Sequence, residues 1–314
     1  MRFYPWRTAI VLALCGLELA CTKTEQPAEP IGPKLTEQQQ KVLDDYRQEI
    51  EVGRNMAGRL LGYYGVIEDE RIVGYVNQVG TYVASYSDAP ERRYMFAILK
   101  HESVNAFACP GGYILITMGA LRQAKNEAEL ASVLGHEVAH VGKRHMYDAL
   151  KKMKEKELEE AAKVKVVNGP MQEALAFRER PVAEASSSGS RLAEYLTGKT
   201  GGGLNILAAA QAGMNLMTGK GLDKTVEFEA DQEGVRYAIR AGYEPKAMLT
   251  YLRRLEAKSE KKVKNLEKTH PSMADRHKRI LGVLKSMNAD EIIGASGEER
   301  FSKVKKFFPK VDRG

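Results

Sequence analysis

The sequence predicts an α+β fold, mainly helical, with a small β-sheet beside one central helix. Helix-capping pairs followed by long helical runs recur along the chain. Residues 93–99 (RYMFAIL) and 105–117 (NAFACPGGYILIT) have strand character, the second interrupted by a Pro-Gly-Gly turn. The apolar content is 43% of 314 residues, which allows a sizeable buried core.

The chain opens with a secretory pattern. Arg2 and Arg7 precede the apolar run TAIVLALCGL, and the small residue Ala20 precedes Cys21. A helix crossing a bilayer needs about 20 apolar residues, so this run is too short to be a span. The Ala20–Cys21 junction resembles a lipobox, and lipidation at Cys21 is expected. Plain secretion and an uncleaved anchor remain the alternatives. Residues 1–20 are then a signal peptide, and 21–35 an anchor and a polar, proline-rich tether. A lipid-bearing Cys21 leaves Cys109 without a disulfide partner, so Cys109 is expected to be a buried small residue.

Thr36 with Gln39 reads as a capping box opening a helix to about residue 61, and a second helix covers about 70–86. After the strands, Asn126 with Glu129 opens the run AELASVLGHEVAH. Residues 151–165 carry mixed charge, as a solvated helical continuation would. Residues 168–203 are rich in Ser, Gly and Pro and read as a mobile loop. LNILAAAQAGMNLM (204–217) is an apolar helix too short to cross a membrane. Further helices are expected near 224–241, 245–258 and 273–287. The folded domain is thus 36–288, with a mobile insertion at 150–222 and a C-terminal extension at 289–314. The net charge of +7 forms no single basic block, which argues against nucleic acid as a partner.

Chemistry is concentrated in residues 134–145, LGHEVAHVGKRH, which hold three of the six histidines. His136-Glu137-Val138-Ala139-His140 is an HExxH pattern. On a helix, positions i and i+4 share a face, so two imidazoles can bind one zinc ion. Glu137 is offset by about 100° and can reach a water beside the metal without ligating it. The metzincin continuation fails, since its glycine would fall at Lys143 and its third histidine at Met146. His145 is therefore read as a surface residue or a neighbour of the ligands. A third ligand is sought in VEFEADQEGVRYAIRAGYEP (226–245). There Glu227 can reach the metal, while Asp231, one turn on, accepts the free N–H of a ligand histidine. Glu229 and Glu233 are read as solvated.

VNAFACPGGYILITMGAL, GHEVAHVGKRH, EFEAD with AGYEP, and THPSMADRHKRI occur in this order. Together they resemble the zinc metallopeptidase family of HtpX, BepA, LoiP and the CAAX prenyl proteases, metallopeptidase family forty-eight. The resemblance covers roughly residues 40–285. It implies a gluzincin-like zincin fold with one Zn2+ per chain, ligands His136, His140 and Glu227, and Glu137 as general base. It also places His270 near the metal, either stabilising an oxyanion or closing the site as a fourth ligand. Asn105 is the other candidate for the oxyanion. Arg276 is either a helix-start arginine or one half of an ion pair near the site, and His277 is read as solvated.

The resemblance further implies a zinc metalloendopeptidase acting on unfolded or misfolded cell-envelope proteins. The alternative is a periplasmic chaperone or assembly factor with a self-closed site. The form is closest to the stand-alone lipoprotein type, exported and facing the periplasm. Thr22 after the lipidated cysteine points to the outer membrane. Residues 105–117 are expected to supply an edge strand for an extended peptide. The insertion is expected to act as a lid or plug over the cleft.

Overall fold

The computed structural model describes residues 35–153, 157, 158, 160, 205–257 and 269–311. The signal, Cys21, the tether and most of the expected mobile insertion lie outside the described residues. The chain divides into two compact units, Met1–Gln40 and Lys41–Gly314. In the first, the expected capping box is present: Gln39 N donates to Thr36 Oγ1 at 3.2 Å and Thr36 N to Gln39 Oε1 at 2.9 Å. Helix α1 follows, over Glu37–Tyr64.

The second unit is organised around one helix. The elements after α1 are α2 (Glu70–Ala84), β1 (Met95–Leu99), β2 (Ala106–Cys109), β3 (Tyr113–Thr117), α3 (Met118–Gln123) and α4 (Glu127–Gly142). Then come α5 (His145–Lys152), α6 (Ile206–Asn215), α7 (Lys224–Arg240), α8 (Ala247–Glu256), α9 (Met273–Ser286) and α10 (Glu298–Lys305). Every residue of α4 from Glu127 to Val141 is buried. A helix apolar or small on nearly all sides needs neighbours on all sides, and α2, α7, α8 and the sheet supply them.

The sheet has the order β1-β3-β2, with β1 parallel and β2 antiparallel to β3. Pro110–Gly112 makes the expected turn, with Gly111 at φ 72° and Gly112 at φ 103°. Strand alternation sends side chains to two separate cores. Phe96, Ile98, Ala108, Ile114 and Ile116 join the core around α4. Phe107, Cys109 and Leu115 join a second core built with α1, α5 and α6. Cys109 is buried as expected, and burial pushes its thiol up. Among the described residues β2 pairs only with β3, so its outer edge carries no partner strand.

Two departures from the sequence reading matter for the site. First, α4 does not continue into the charged run. Arg144 is left-handed, at φ 58° and ψ 25°, and α5 begins afresh at His145. That conformation costs a non-glycine residue roughly 1–2 kcal/mol. It is held by ion pairs from Arg144 to Asp45 at 2.6 Å and to the buried Glu49 at 2.9 Å, both on α1. Second, residues 289–311 pack into the same unit as α4. Phe301 is fully buried in its core, and Arg300 pairs with Glu127 at 2.6 Å. Among the described residues no helix is long and apolar enough to cross a membrane.

Helices α4 and α7 approach backbone to backbone at Gly135 and Gly234. A Cβ on Gly135 would stand 2.7 Å from Gly234 O, and one on Gly234 would stand 2.5 Å from His136 N. Backbone atoms cannot yield as a side chain tip can. Gly135→Ala and Gly234→Ala are each expected to lower stability by about 1–3 kcal/mol. Denaturant unfolding measures this, and a midpoint equal to that of the unaltered chain would contradict the packing described.

Candidate metal centre

Three elements converge on one buried point. Helix α4 brings His136 and His140, one turn apart. Helix α7, capped by Asp223 Oδ1 accepting from Thr225 N at 2.8 Å, brings Glu227 in its first turn and Asp231 in its second. His270 lies just before α9, which opens with Ser272 Oγ accepting from Asp275 N at 3.2 Å and carries Arg276.

The donor atoms face one another. His136 Nε2 and His140 Nε2 are 3.1 Å apart. Glu227 lies 3.7 Å from His136 Nε2 through Oε2 and 3.6 Å from His140 Nε2 through Oε1. His270 Nε2 lies 3.5 Å from Glu227 Oε2. Donors of His136, Glu227 and His270 all fall within 4.8 Å of one another. The arrangement fits a metal ion on its own chemistry. Imidazole nitrogens and a carboxylate oxygen are the donor set of zinc, and Glu227 Oε2 is buried with no hydrogen-bond partner. A buried carboxylate oxygen so left is costly unless a cation answers it.

Asp231 stands behind His136. Its Oδ1 is 3.0 Å from His136 Nδ1, and Arg276 grips it through Nε at 2.9 Å and Nη2 at 2.6 Å. The choice left open for Arg276 is thereby settled: it is buried and ion-paired. Burial alone would raise the Asp231 carboxyl, but the Arg276 guanidinium outweighs it and holds the group well below the usual carboxylate range. Glu227 is held low in the same way, with burial outweighed by His270 and His140. Burial lowers His136 and His270, which favours the neutral imidazole. His140 differs. Burial lowers it, but the Glu227 carboxylate wins and the net shift is upward from 6.5.

Glu137 is buried, and burial raises its carboxyl. It lines two clefts that meet at Ala106 of β2. One is walled by Val104, Asn105, Val133, Met248, Tyr251 and Leu252, with His136 and His270 at its end. The other is walled by Phe107, Ala108, Met146, Met217 and Leu222, with His140, Glu227 and His270. Asn105 therefore shares a cleft with Glu137 and His270; its Oδ1 accepts from Ala106 N at 2.9 Å. Met217, Gly221 and Leu222, from the expected insertion, wall the second cleft. Of the proposed lid, residues 154–156, 159 and 161–204 lie outside the described residues, while its apolar helix α6 packs into the second core.

Of the two readings of His145, neighbour of the ligands is the one the structure shows: it is buried, with Nδ1 3.0 Å from His140 Nδ1. Glu229 is exposed, as expected, and its carboxylate reaches His145 Nε2 at 3.3 Å. Two expectations of solvated side chains need correction. Glu233 is largely covered and paired with Arg236 at 2.6 Å. His277 is part-buried, 3.5 Å from Glu256. Glu233 and Arg236 are an i, i+3 pair on one helix, whereas the contacts of His145 and His277 depend on the turn at Arg144 or on how helices cross.

Ligation by His140 must expel any proton it carries. Below its raised pKa, metal affinity should therefore climb with pH by up to about tenfold per unit, and above it that dependence should vanish. Calorimetric titration with zinc across this range checks the sign. Affinity that falls with rising pH would contradict it.

The sequence profile of Peptidase family M48 matches residues 71–283. The chain is 28% identical over 235 residues to the beta-barrel assembly-enhancing protease of Escherichia coli (strain K12), covering 71% of this chain and 41% of that protein. It is 26% identical over 284 residues to the putative beta-barrel assembly-enhancing protease of Vibrio cholerae, covering 88% of this chain and 51% of that one. A shorter match, 40% over 55 residues, joins it to the mitochondrial metalloendopeptidase OMA1 of Arabidopsis thaliana, covering 18% of this chain and 11% of that protein. The chain spans about half the length of the bacterial relatives it matches. With a profile match running from α2 to the C-terminal turn of α9, across every element that builds the centre, the chain belongs to peptidase family M48.

Proposed function

We propose that this chain is a zinc-dependent endopeptidase that hydrolyses peptide bonds in unfolded or misfolded proteins of the cell envelope. The observation that carries the reading is the placement of Glu137. It is a buried carboxylate lining the same clefts as the His136, His140, Glu227 and His270 cluster, beside the edge of β2 that carries no partner strand among the described residues.

His136, His140 and Glu227 would hold the zinc, and Asp231, fixed by Arg276, orients His136. Bound there, zinc supplies the Lewis acidity that polarises a peptide carbonyl and eases deprotonation of water. Glu137 accepts that proton and passes it to the leaving nitrogen. The upward shift of its carboxyl strengthens it as the accepting base. His270 or Asn105 stabilises the carbonyl oxygen as it gains charge. The peptide adds to β2 as a further strand, so main-chain hydrogen bonds hold it and few side chains are read. The Escherichia coli relative is named a beta-barrel assembly-enhancing protease, which supports the protease reading. The signal pattern supports export, with Cys21 lipidated and the chain facing the periplasm from the outer membrane.

A second reading, an assembly factor with a closed site, is favoured by one distance. His270 Nε2 lies 3.5 Å from Glu227 and would complete a four-donor set. One experiment separates the two. The purified chain, Glu137→Gln and His270→Ala are compared on an unfolded protein, with bound zinc assayed in each. Endopeptidase action predicts a loss of at least about 10²-fold in Glu137→Gln with zinc retained. Cleavage by Glu137→Gln at the normal rate would reject Glu137 as the base. Cleavage appearing only in His270→Ala would favour the closed site. For the anchor, Cys21→Ser is expected to abolish incorporation of labelled fatty acid and release the chain from membranes. Continued labelling would overturn lipidation at Cys21.

A further inference from the structure

His145 is the one histidine of the HExxH region that this chemistry leaves unused, yet it is buried and touches a proposed ligand. Its Nδ1 lies 3.0 Å from His140 Nδ1, and its Nε2 lies 3.3 Å from Glu229 Oε2. In an unbroken α-helix, residues five apart point about 140° away from each other. The contact exists because Arg144 breaks the helix in a left-handed conformation, held by Asp45 and Glu49 of α1. Two ion pairs from a distant helix thus hold the turn that brings His145 against His140.

We propose that His145 is a positioning residue that selects the tautomer of His140 and so sets its Nε2 as the metal-binding atom. This rests on the reading of His140 as a zinc ligand. A single proton lies between the two Nδ1 atoms. If His140 carries it, His140 Nδ1–H donates to His145 Nδ1 and His140 Nε2 keeps its lone pair toward Glu227 and the metal. His145 then bears its own proton on Nε2, where the Glu229 carboxylate accepts it. The opposite assignment fails at both ends. It protonates His140 Nε2, which cannot then ligate, and it sets the bare lone pair of His145 Nε2 against the Glu229 carboxylate. Glu229 thus decides the proton position on His140 from across the ring of His145. His136 has the equivalent support from Asp231 and Arg276. Each α4 ligand therefore has its own carboxylate behind it, one direct and one relayed. Hydrogen-bond partners of metal-bound histidines typically contribute 10–100-fold in metal affinity.

The test measures zinc affinity by chelator competition, and the visible spectrum with cobalt in place of zinc, on the full chain. His145→Phe keeps the ring volume and removes the acceptor. His145→Asn places its Oδ1 acceptor where Nδ1 stood. Zinc affinity is expected to fall about 10–100-fold in His145→Phe, with a changed cobalt spectrum, and to stay within roughly threefold in His145→Asn. Equal loss in both variants would mean that packing, not the acceptor, matters, and would overturn the proposal, as would full affinity in His145→Phe. Should His145→Phe fail to fold, Glu229→Ala decides, since its side chain is half-exposed: weaker zinc binding supports the relay and unchanged binding overturns it. An unaltered chain that binds zinc but cleaves nothing would defeat the peptidase reading while leaving these affinities to decide the role of His145.

Discussion

The site depends on how closely two helix backbones approach. At Gly135 and Gly234 no side chain separates α4 from α7. That contact lies one residue before His136 and seven after Glu227. With larger residues there, α7 would stand further off, and Glu227 would leave the space shared by the two imidazoles. Asp231 would likewise lose His136. Two residues without side chains therefore fix the spacing of a centre to which neither contributes an atom.

Around this contact the protein buries charge in compensated sets. Arg276 with Asp231, Arg92 and Arg144 with Glu49, and Arg254 with Glu129 are each largely covered from solvent. Such pairs give little net stability, since desolvation consumes most of the attraction, but breaking one by removing a partner is costly. Their value here is geometric. Arg276 fixes the carboxylate behind His136. Glu49 and Asp45 hold the left-handed turn after α4. Glu127, which accepts from Tyr75, Tyr243 and Arg300, ties the start of α4 to α2 and to the C-terminal segment. The helix carrying both histidines is pinned by charge at each end.

Much of this was legible in the sequence. Helices α1, α2, α4 and α6 to α9 lie within a few residues of their expected bounds, because capping residues such as Asn126 and Ser272 act locally, whereas α3, α5 and α10 were not expected as such. The strands and the Pro-Gly-Gly turn were legible for the same reason. His136, His140, Glu227 and Asp231 meet as their i, i+4 spacing and the resemblance implied. What was hidden depends on tertiary geometry. Nothing local in GKRHM marks Arg144 as left-handed, since the residues that hold it are about a hundred positions away. The sequence consequently left His145 open between the surface and the neighbourhood of the ligands. Phe301 looked like part of a trailing extension because the surface it packs on belongs to α2 and α4.

The edge of β2, without a partner strand among the described residues, has a consequence for what can be cut. On the reading proposed above, a substrate must offer backbone N–H and C=O groups that are not already paired, and a folded protein offers them only while it is locally open. When opening and closing are fast relative to cleavage, the rate follows the population of the open form. Each 1.4 kcal/mol of local stability in the victim then slows its destruction about tenfold. Selection of this kind needs no recognition sequence. The peptidase samples the thermodynamics of its neighbours, and a well-made protein is spared because it is closed nearly all the time.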